Sequence, residues 1–247
     1  YYCVDEYSEF EGVPADAIRE LEQRIVRKAD FVFVTSKALL EKKRNGNPQT
    51  HYIPHGVHIE HFNQALAPQT TVPSDIADIP HPIIGFYGLI ESWLDLDMVQ
   101  FLVESRPQWS FVFIGNSKVD LSQLQKYKNL HFLGRRNYQD LPGYNKAFDV
   151  AIIPFLRNEL TRNVNPIKLR EYLAAGSAVV TTYMPEIEQY KDIIGIADSP
   201  QDFLEETEAM LKKNSESDVR KRLQAVQAES WQARMEQLSK IIINRGN

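Results

Sequence analysis

Cysteine and long apolar runs are both scarce in this 247-residue chain. The single cysteine, Cys3, excludes an internal disulfide framework and a cysteine-based zinc site, which is typical of a reducing compartment. No apolar run approaches the roughly 20 residues that a membrane-spanning helix needs. We therefore expect a cytoplasmic protein. Because no basic amphipathic helix is evident, peripheral contact with the inner face of the membrane stays open.

An excess of positive charge is also missing. The formal net charge is −5 and the isoelectric point is near 5.7, so the composition argues against binding to a nucleic-acid backbone. Hydrophobic residues make up 43% of the chain, enough for a packed core in one large or two modest domains. Residues 1–4 resemble the end of a buried strand, and we therefore expect the chain to be part of a longer protein.

Short β-rich runs alternate with amphipathic stretches, which predicts the α/β class with parallel sheets and right-handed crossovers. The predicted strands of the larger part cover residues 83–87, 111–114, 130–133, 150–154, 178–182 and 193–197. The predicted helices of that part cover residues 94–106, 141–147, 201–213, 218–229 and 231–244. In the smaller part, residues 1–57, we predict a strand end, a helix over 15–28, a strand over 31–35, a helix from Ser36 and a strand over 52–54.

This pattern divides the chain into four parts. Residues 1–57 look like the end of one Rossmann-like domain, and residues 83–230 predict a second, complete one. Residues 58–82 join them; the stretch 64–82 is rich in proline, alanine and threonine without clean periodicity, so we interpret it as connection rather than core. Residues 231–247 predict a terminal helix.

Glycines follow the predicted strands at the edge where open α/β sheets bind their ligands. Gly88, Gly115 and Gly134 each follow a strand, and the strand over 150–154 leads into a loop that carries Arg157 and Arg162. Glycine lets a ligand approach the backbone closely, although it also ends strands for turn geometry alone. Together these positions favour a ligand-binding rim.

One segment marks a helix at both of its ends. Asn165 suits the N-cap, Pro166 the first helical position, and Gly176 the left-handed position just past the end. Lys168 and Glu171 fall in the first turn and a half, where unpaired amides and the helix dipole favour phosphate. We interpret Lys168 as a clamp on a diphosphate and Glu171 as an acceptor for a ribose diol. A plain ion pair between the two is the alternative.

Two groups of residues invite a metal interpretation. His55, His58 and His61 lack a cysteine or a clear carboxylate partner for zinc. Asp95 and Asp97 resemble a metal-binding Asp-x-Asp pair, but they stand at the head of a predicted helix, where carboxylates compensate the dipole. We therefore predict no metal site and no other cofactor.

Four segments together resemble one protein family. They are ADFVFVTS at 29–36, IPHGVH at 53–58 with Phe62, IGFYG at 84–88, and PIKLREYLAAG at 166–176 with Val179 and Val180. They are similar to motifs of retaining glycosyltransferases of the GT-B fold, of the glycosyl transferases group 1 type, which build bacterial surface polysaccharides. Histidine replaces the family's asparagine and aspartate at positions 55 and 58. The resemblance covers the donor half and the end of the acceptor half.

The resemblance implies a donor site. Glu171 would hold the ribose, and Asn163 stands where the family has a glutamate beside the donor sugar. The amides around Val164–Ile167 and the Lys168 side chain would hold the diphosphate. The family's usual arginine-lysine pair after the first glycine is not evident, so either Lys168 or Arg157 and Arg162 would supply that charge. The implied donor-binding residues are Gly88, Gly134, Arg135, Arg157, Arg162, Asn165, Ile167, Lys168 and Glu171, and the implied catalytic residues are Lys168 and Asn163.

The expected activity is therefore transfer of a hexosyl-type sugar from a nucleotide-sugar donor, a UDP-sugar by preference. The acceptor would be a glycan or a lipid-linked glycan, and the anomeric configuration would be retained without a metal ion. Two alternatives stay open: a nucleotide-sugar epimerase of the same architecture, and a nucleotide-binding subunit that has lost its chemistry.

Overall fold

Two parallel sheets organise the computed structural model, which describes residues 1–243. The small sheet has the order β1-β2-β3, formed by Tyr2–Cys3 (β1), Val32–Val34 (β2) and Thr50–Tyr52 (β3). Its helices are Ala15–Lys28 (α1) and Lys37–Arg44 (α2). The strand predicted over 52–54 is wrong by two residues, because pairing of Val32 with Thr50 sets the register.

The large sheet has six strands in the order β6-β5-β4-β7-β8-β9. They are Ile83–Tyr87 (β4), Ser110–Ile114 (β5), Leu130–Gly134 (β6), Val150–Ile153 (β7), Val179–Thr182 (β8) and Gly195–Ala197 (β9). All residues of β4, β5, β7 and β8 are buried, as expected for strands covered on both faces. The strand order reverses between β4 and β7, and ligands of doubly wound sheets bind at such a switch point. The expected Rossmann-like α/β fold is confirmed.

Nine further helices connect and cover the strands within residues 1–243. They are Ile59–Asn63 (α3), Ser74–Ala77 (α4), Leu96–Ser105 (α5), Leu141–Ala147 (α6), Glu159–Arg162 (α7), Ile167–Ala174 (α8), Pro200–Met210 (α9), Glu216–Val226 (α10) and Trp231–Ile243 (α11). Short 3-10 turns cover Tyr7–Glu9, Gln64–Leu66, Tyr138–Asp140 and Pro185–Tyr190. The predicted end of the last helix, Asn244, lies outside the described residues. No helix of the described part is both long and apolar enough to cross a membrane.

The stretch 64–82 is more than a connection. Ile76 in α4 is only 1% exposed and belongs to the main hydrophobic core, together with Ala65. Asp75 accepts hydrogen bonds from Arg136 at 2.6 Å and from the hydroxyl of Tyr144 at 2.9 Å, which holds α4 against α6. The interpretation of this stretch as connection rather than core is wrong, because a helix of four residues is too short to show a periodic apolar pattern.

The beginning of α8 differs from its prediction. Pro166 is the N-cap with extended backbone angles, and no side chain caps the helix there. Asn165 does not act as the N-cap because its side-chain amide is already engaged: it accepts from Arg170 at 2.5 Å and donates to Glu186 at 3.0 Å. The hydroxyl of Tyr172 accepts from the backbone N–H of Tyr87 at 3.0 Å, which anchors α8 to β4.

The end of α8 is as predicted. Gly176 has φ +77°, in the left-handed region, and follows the C-cap Ala175. Its N–H donates to the carbonyl of Leu173 at 3.0 Å, and Ser177 donates to Tyr172 at 3.0 Å. This pair of bonds is a Schellman motif, which satisfies the last carbonyls of the helix.

We predict that Gly176→Ala destabilises the protein more than Gly12→Ala does. Both glycines have a positive φ, of +77° and +78°, so alanine strains either site by about 1–2 kcal/mol. A Cβ at position 176 would also lie 2.9 Å from Val219, whereas nothing lies within 4 Å of one at position 12. Urea unfolding measures both losses. Equal losses of stability would contradict the prediction, because they would show that Val219 moves aside without a loss of free energy.

Candidate functional site

Two cavities meet at the carboxyl edge of the large sheet, beside its switch point. The first, here the cleft cavity, has about 290 Å³ and lies between the two sheets, with Phe10 on one wall and Trp93 on the other. The second, here the edge cavity, has about 230 Å³ and lies over the ends of β4, β5 and β6. The residues that line both cavities are Gly88, Leu89 and Lys168.

The loops after β4 and β5 pack backbone against backbone. Gly115 has φ +150°, and a Cβ there would lie 1.7 Å from the carbonyl oxygen of Gly88. The N–H of Gly88 donates to Ile114 at 2.8 Å, and the N–H of Gly115 donates to Gly134 at 2.9 Å. The three glycines singled out in the sequence are therefore neighbours along one rim. At Gly88 itself, a Cβ would stand 2.9 Å from the Lys168 side chain.

Lys168 is the second residue of α8 and lies between the two cavities. Its Nζ is 3.4 Å from Oε2 of Glu171 and 5.5 Å from the ring centre of Tyr87. The ion pair considered from the sequence is thus present. Because Lys168 and Ile167 open the helix, their amides have no carbonyl partner one turn earlier in α8. A cationic side chain and unpaired amides at one place can bind an anion.

Glu171 is buried, with 6% of its surface exposed. Burial raises the pKa of its carboxyl, while Lys168 and His58 lower it. The Nδ1 atom of His58 is 3.0 Å from the hydroxyl of Tyr138, and His61 stacks on the same ring at 4.4 Å. The Tyr138 side chain was missed by sequence reasoning, since nothing in its local pattern distinguishes it from a surface tyrosine.

The three histidines do not converge on one point. His55 is mostly buried, and burial together with the Arg170 charge lowers its pKa to about 4, so that it is neutral at pH 7. His58 and His61 instead contact Tyr138. Among residues 1–243 no three histidine, cysteine or acidic side chains come together as metal ligands would. Asp95 is the N-cap of α5 and accepts from the N–H of Met98 at 2.8 Å, at the head of the helix as predicted.

The remaining predicted residues divide between these cavities and other places. Asn165 and Ile167 line the cleft cavity, and Arg135 lines the edge cavity. Arg157 and Arg162 line a separate cavity of about 490 Å³.

Neither Arg157 nor Asn163 is free to face Lys168. Arg157 forms an ion pair with Asp198 at 2.8 Å. Asn163 is completely buried, and its amide donates to the carbonyl of Glu159 at 2.6 Å. The structure therefore does not bring Arg157, Arg162 or Asn163 together with Lys168.

Glu186 joins the two sheets beside the cleft cavity. It is 4% exposed, and its Oε1 accepts from the backbone N–H of Lys37 at 2.6 Å. Its Oε2 accepts from the hydroxyl of Tyr52 at 2.6 Å and from the amide of Asn165 at 3.0 Å. One carboxylate thus connects α2 and β3 of the small sheet with the residue that precedes α8.

Two Rossmann-like sheets on either side of a cleft, with a cavity at the switch point of the second, are the architecture of the GT-B class of glycosyltransferase folds. The family model described as "Glycosyl transferases group 1" matches residues 82–213. Because this match covers more than half of the chain, the protein belongs to the glycosyl transferases group 1 family.

Known proteins agree with this assignment. The chain is 27% identical over 239 residues to the proposed teichuronic acid biosynthesis glycosyltransferase TuaH of Bacillus subtilis (strain 168), covering 90% of this chain and 59% of that protein. Its fold is similar to sucrose-phosphate synthase from Thermosynechococcus elongatus, with a TM-score of 0.72, 19% identity, and coverage of 96% and 63%. It is similar also to Anabaena HepE in complex with UDP and glucose, with a TM-score of 0.72, 16% identity, and coverage of 98% and 70%. The chain thus spans about three fifths of the length of TuaH.

We predict that Glu171→Gln changes how stability depends on pH. Because burial raises the pKa of Glu171 above its ordinary value of 4.5, the folded protein binds this proton more tightly than the unfolded chain does. The contribution of Glu171 to stability therefore decreases as the pH rises from 4.5 through the raised pKa. Glutamine does not titrate. The free energy of unfolding of Glu171→Gln minus that of the wild type should therefore become more positive as the pH rises over that interval.

Urea unfolding of both proteins at several pH values between 4.5 and 8 measures this difference. Glu188→Gln is the control, since Glu188 also pairs with a lysine three residues away but is exposed. A flat difference for both variants would contradict the prediction.

Proposed function

We propose that the protein transfers a hexosyl-type sugar from a UDP-sugar to a glycan or lipid-linked acceptor, with retention of the anomeric configuration and without a metal ion. The observation that carries this proposal is the position of Lys168, at the N-terminus of α8 and at the junction of two cavities. A UDP-sugar in that place would have its nucleoside in the edge cavity, its diphosphate at Lys168 and its transferred sugar in the cleft cavity.

The chemistry follows from the charge at this junction. When the bond between sugar and diphosphate breaks, negative charge grows on the leaving diphosphate. Lys168 and the unpaired amides of α8 would stabilise that charge, and fixed donors of this kind stabilise a transition state more than a ground state. Gly88 leaves room beside Lys168, since a Cβ there would come within 2.9 Å of the Lys168 side chain and 3.0 Å of Phe86. Glu171 would accept hydrogen bonds from the ribose hydroxyls.

The descriptions of two similar proteins support the proposal. TuaH is assigned to teichuronic acid biosynthesis, and the HepE structure contains UDP and glucose. We accordingly propose a role in bacterial surface polysaccharide synthesis on the cytoplasmic side of the membrane. We also propose that residues 1–57 complete an acceptor-side domain, that 58–82 connect it to the donor domain at 83–230, and that 231–247 cross back over the cleft.

The experiment is calorimetric titration of the chain with UDP, GDP, ADP and CMP. We expect preferential binding of UDP, and we expect Lys168→Ala and Glu171→Ala each to weaken it about tenfold or more, the loss of a charged hydrogen bond. Lys191→Ala and Glu188→Ala are matched controls, because these residues form an exposed pair with the same spacing. Absence of nucleotide binding, or equal binding by all four variants, would contradict the proposed donor site.

Turnover measurements distinguish sugar transfer from the two alternatives, an epimerase and a non-catalytic nucleotide-binding subunit. Lys168→Ala should lower the rate of UDP release from a UDP-sugar more than it weakens UDP binding, because the charge on the diphosphate grows in the transition state. An epimerase would instead convert a UDP-sugar without an acceptor. A non-catalytic subunit would bind UDP and release none from any donor.

A further inference from the structure

The cleft cavity contains one carboxylate that the proposed reaction has not yet used. Among the described residues that line this cavity, Asp5 is the only acidic one. It lies two residues after the end of β1, at the carboxyl edge of the small sheet, and lines the same cavity as Lys168. Ligands of parallel sheets bind at that edge.

Within residues 1–243 the Asp5 carboxylate has neither a hydrogen-bond donor nor an ion-pair partner. Its backbone carbonyl accepts from the thiol of Cys3 at 3.4 Å, but no described residue donates a hydrogen bond to its side-chain oxygens or forms an ion pair with them. Burial raises the pKa of this carboxyl. The Asp5 oxygens still reach solvent, so they are available to a ligand that enters the cavity.

The other walls of the cleft cavity are mostly apolar. Phe10 and Trp93 both line the cavity and contact each other edge to face, with ring centres 6.1 Å apart. Phe86 and Phe155 line the large-sheet side. Pockets for small molecules are typically apolar with a few polar groups that orient the ligand. Here the two charged groups are a cation, Lys168, and an anion, Asp5.

This combination fits one class of ligand. A sugar phosphate has C–H faces that pack on aromatic rings, hydroxyls that donate to a carboxylate, and a phosphate that binds a lysine. Asn163, which stands beside the donor sugar in the resembling family's motif, does not line this cavity and is bonded to Glu159. The described residues therefore present no carboxylate to the sugar from the α8 side.

We propose that Asp5 is a specificity-determining residue that accepts hydrogen bonds from hydroxyls of the transferred sugar. The sugar is then held between the two sheets, with its phosphate end at Lys168 and its hydroxyls at Asp5. This inference rests on the proposed function, since it takes a UDP-sugar as the ligand.

The test is a ratio of two dissociation constants, that of a UDP-sugar divided by that of UDP. Calorimetry gives both constants for wild type, Asp5→Ala and Asp5→Asn, with UDP-glucose, UDP-galactose and UDP-N-acetylglucosamine as probes. We expect the ratio of the best-bound sugar to rise about tenfold in Asp5→Ala and by less in Asp5→Asn, which keeps one acceptor oxygen. The constant for UDP alone should stay the same, because UDP does not reach Asp5.

The control is Asp16→Asn, which removes a fully exposed carboxylate from the same part of the chain and should leave the ratio unchanged. An unchanged ratio in both Asp5 variants for every probe would overturn the inference and leave the proposed donor site intact. Loss of UDP binding in both Asp5 variants would also overturn it, because Asp5 would then support the fold. Failure of the wild type to bind UDP would instead count against the proposed function.

Discussion

The buried carboxylate of Glu186 is the interaction on which the rest of the structure depends. Burial of a carboxylate is unfavourable unless hydrogen bonds replace its water, and here the donors come from Lys37, Tyr52 and Asn165. Lys37 belongs to α2 and Tyr52 to β3 of the small-sheet part, whereas Asn165 lies just before the N-cap of α8. One carboxylate thus ties the two sheet-bearing parts together beside the cleft cavity.

A second buried network continues from the first. Asn165 accepts from Arg170, and the Nε of Arg170 donates to Glu229 at 2.6 Å. Tyr190 also donates to Glu229, at 2.7 Å. Glu229 lies just before α11, which begins at Trp231. The backbone of Trp231 packs against Gly56, because a Cβ on Gly56 would stand 2.6 Å from the Cα of Trp231. The N-terminus of α8 and the residue before the terminal helix are thus held by one connected set of polar groups.

Much of the fold and part of the site could be predicted from the sequence, because both depend on local patterns. All six strands of the large sheet are short apolar runs that end at turn residues, and Gly176 has the left-handed conformation that its position implies. The proximity of Lys168 and Glu171 follows from helical spacing alone.

The errors share a different cause. Asn165 is not an N-cap because its partner Glu186 lies 21 residues further on, a separation that no local pattern records. The burial of Ile76, the separation of Arg157 from Lys168 and the position of Asp5 opposite α8 likewise depend on how distant segments pack. Whether the predicted donor residues bind a donor stays a prediction.

The neutral state of His55 affects how the charge on the wall of the cleft cavity responds to pH. Its pKa of about 4 lies far below neutral pH, so this imidazole does not change charge when the pH varies by about one unit around neutrality. A histidine at its ordinary pKa would add a positive charge to the cavity wall under mild acidification and would strengthen its attraction for anions. Burial beside Arg170 prevents this, so His55 itself adds no positive charge to the cavity wall on mild acidification.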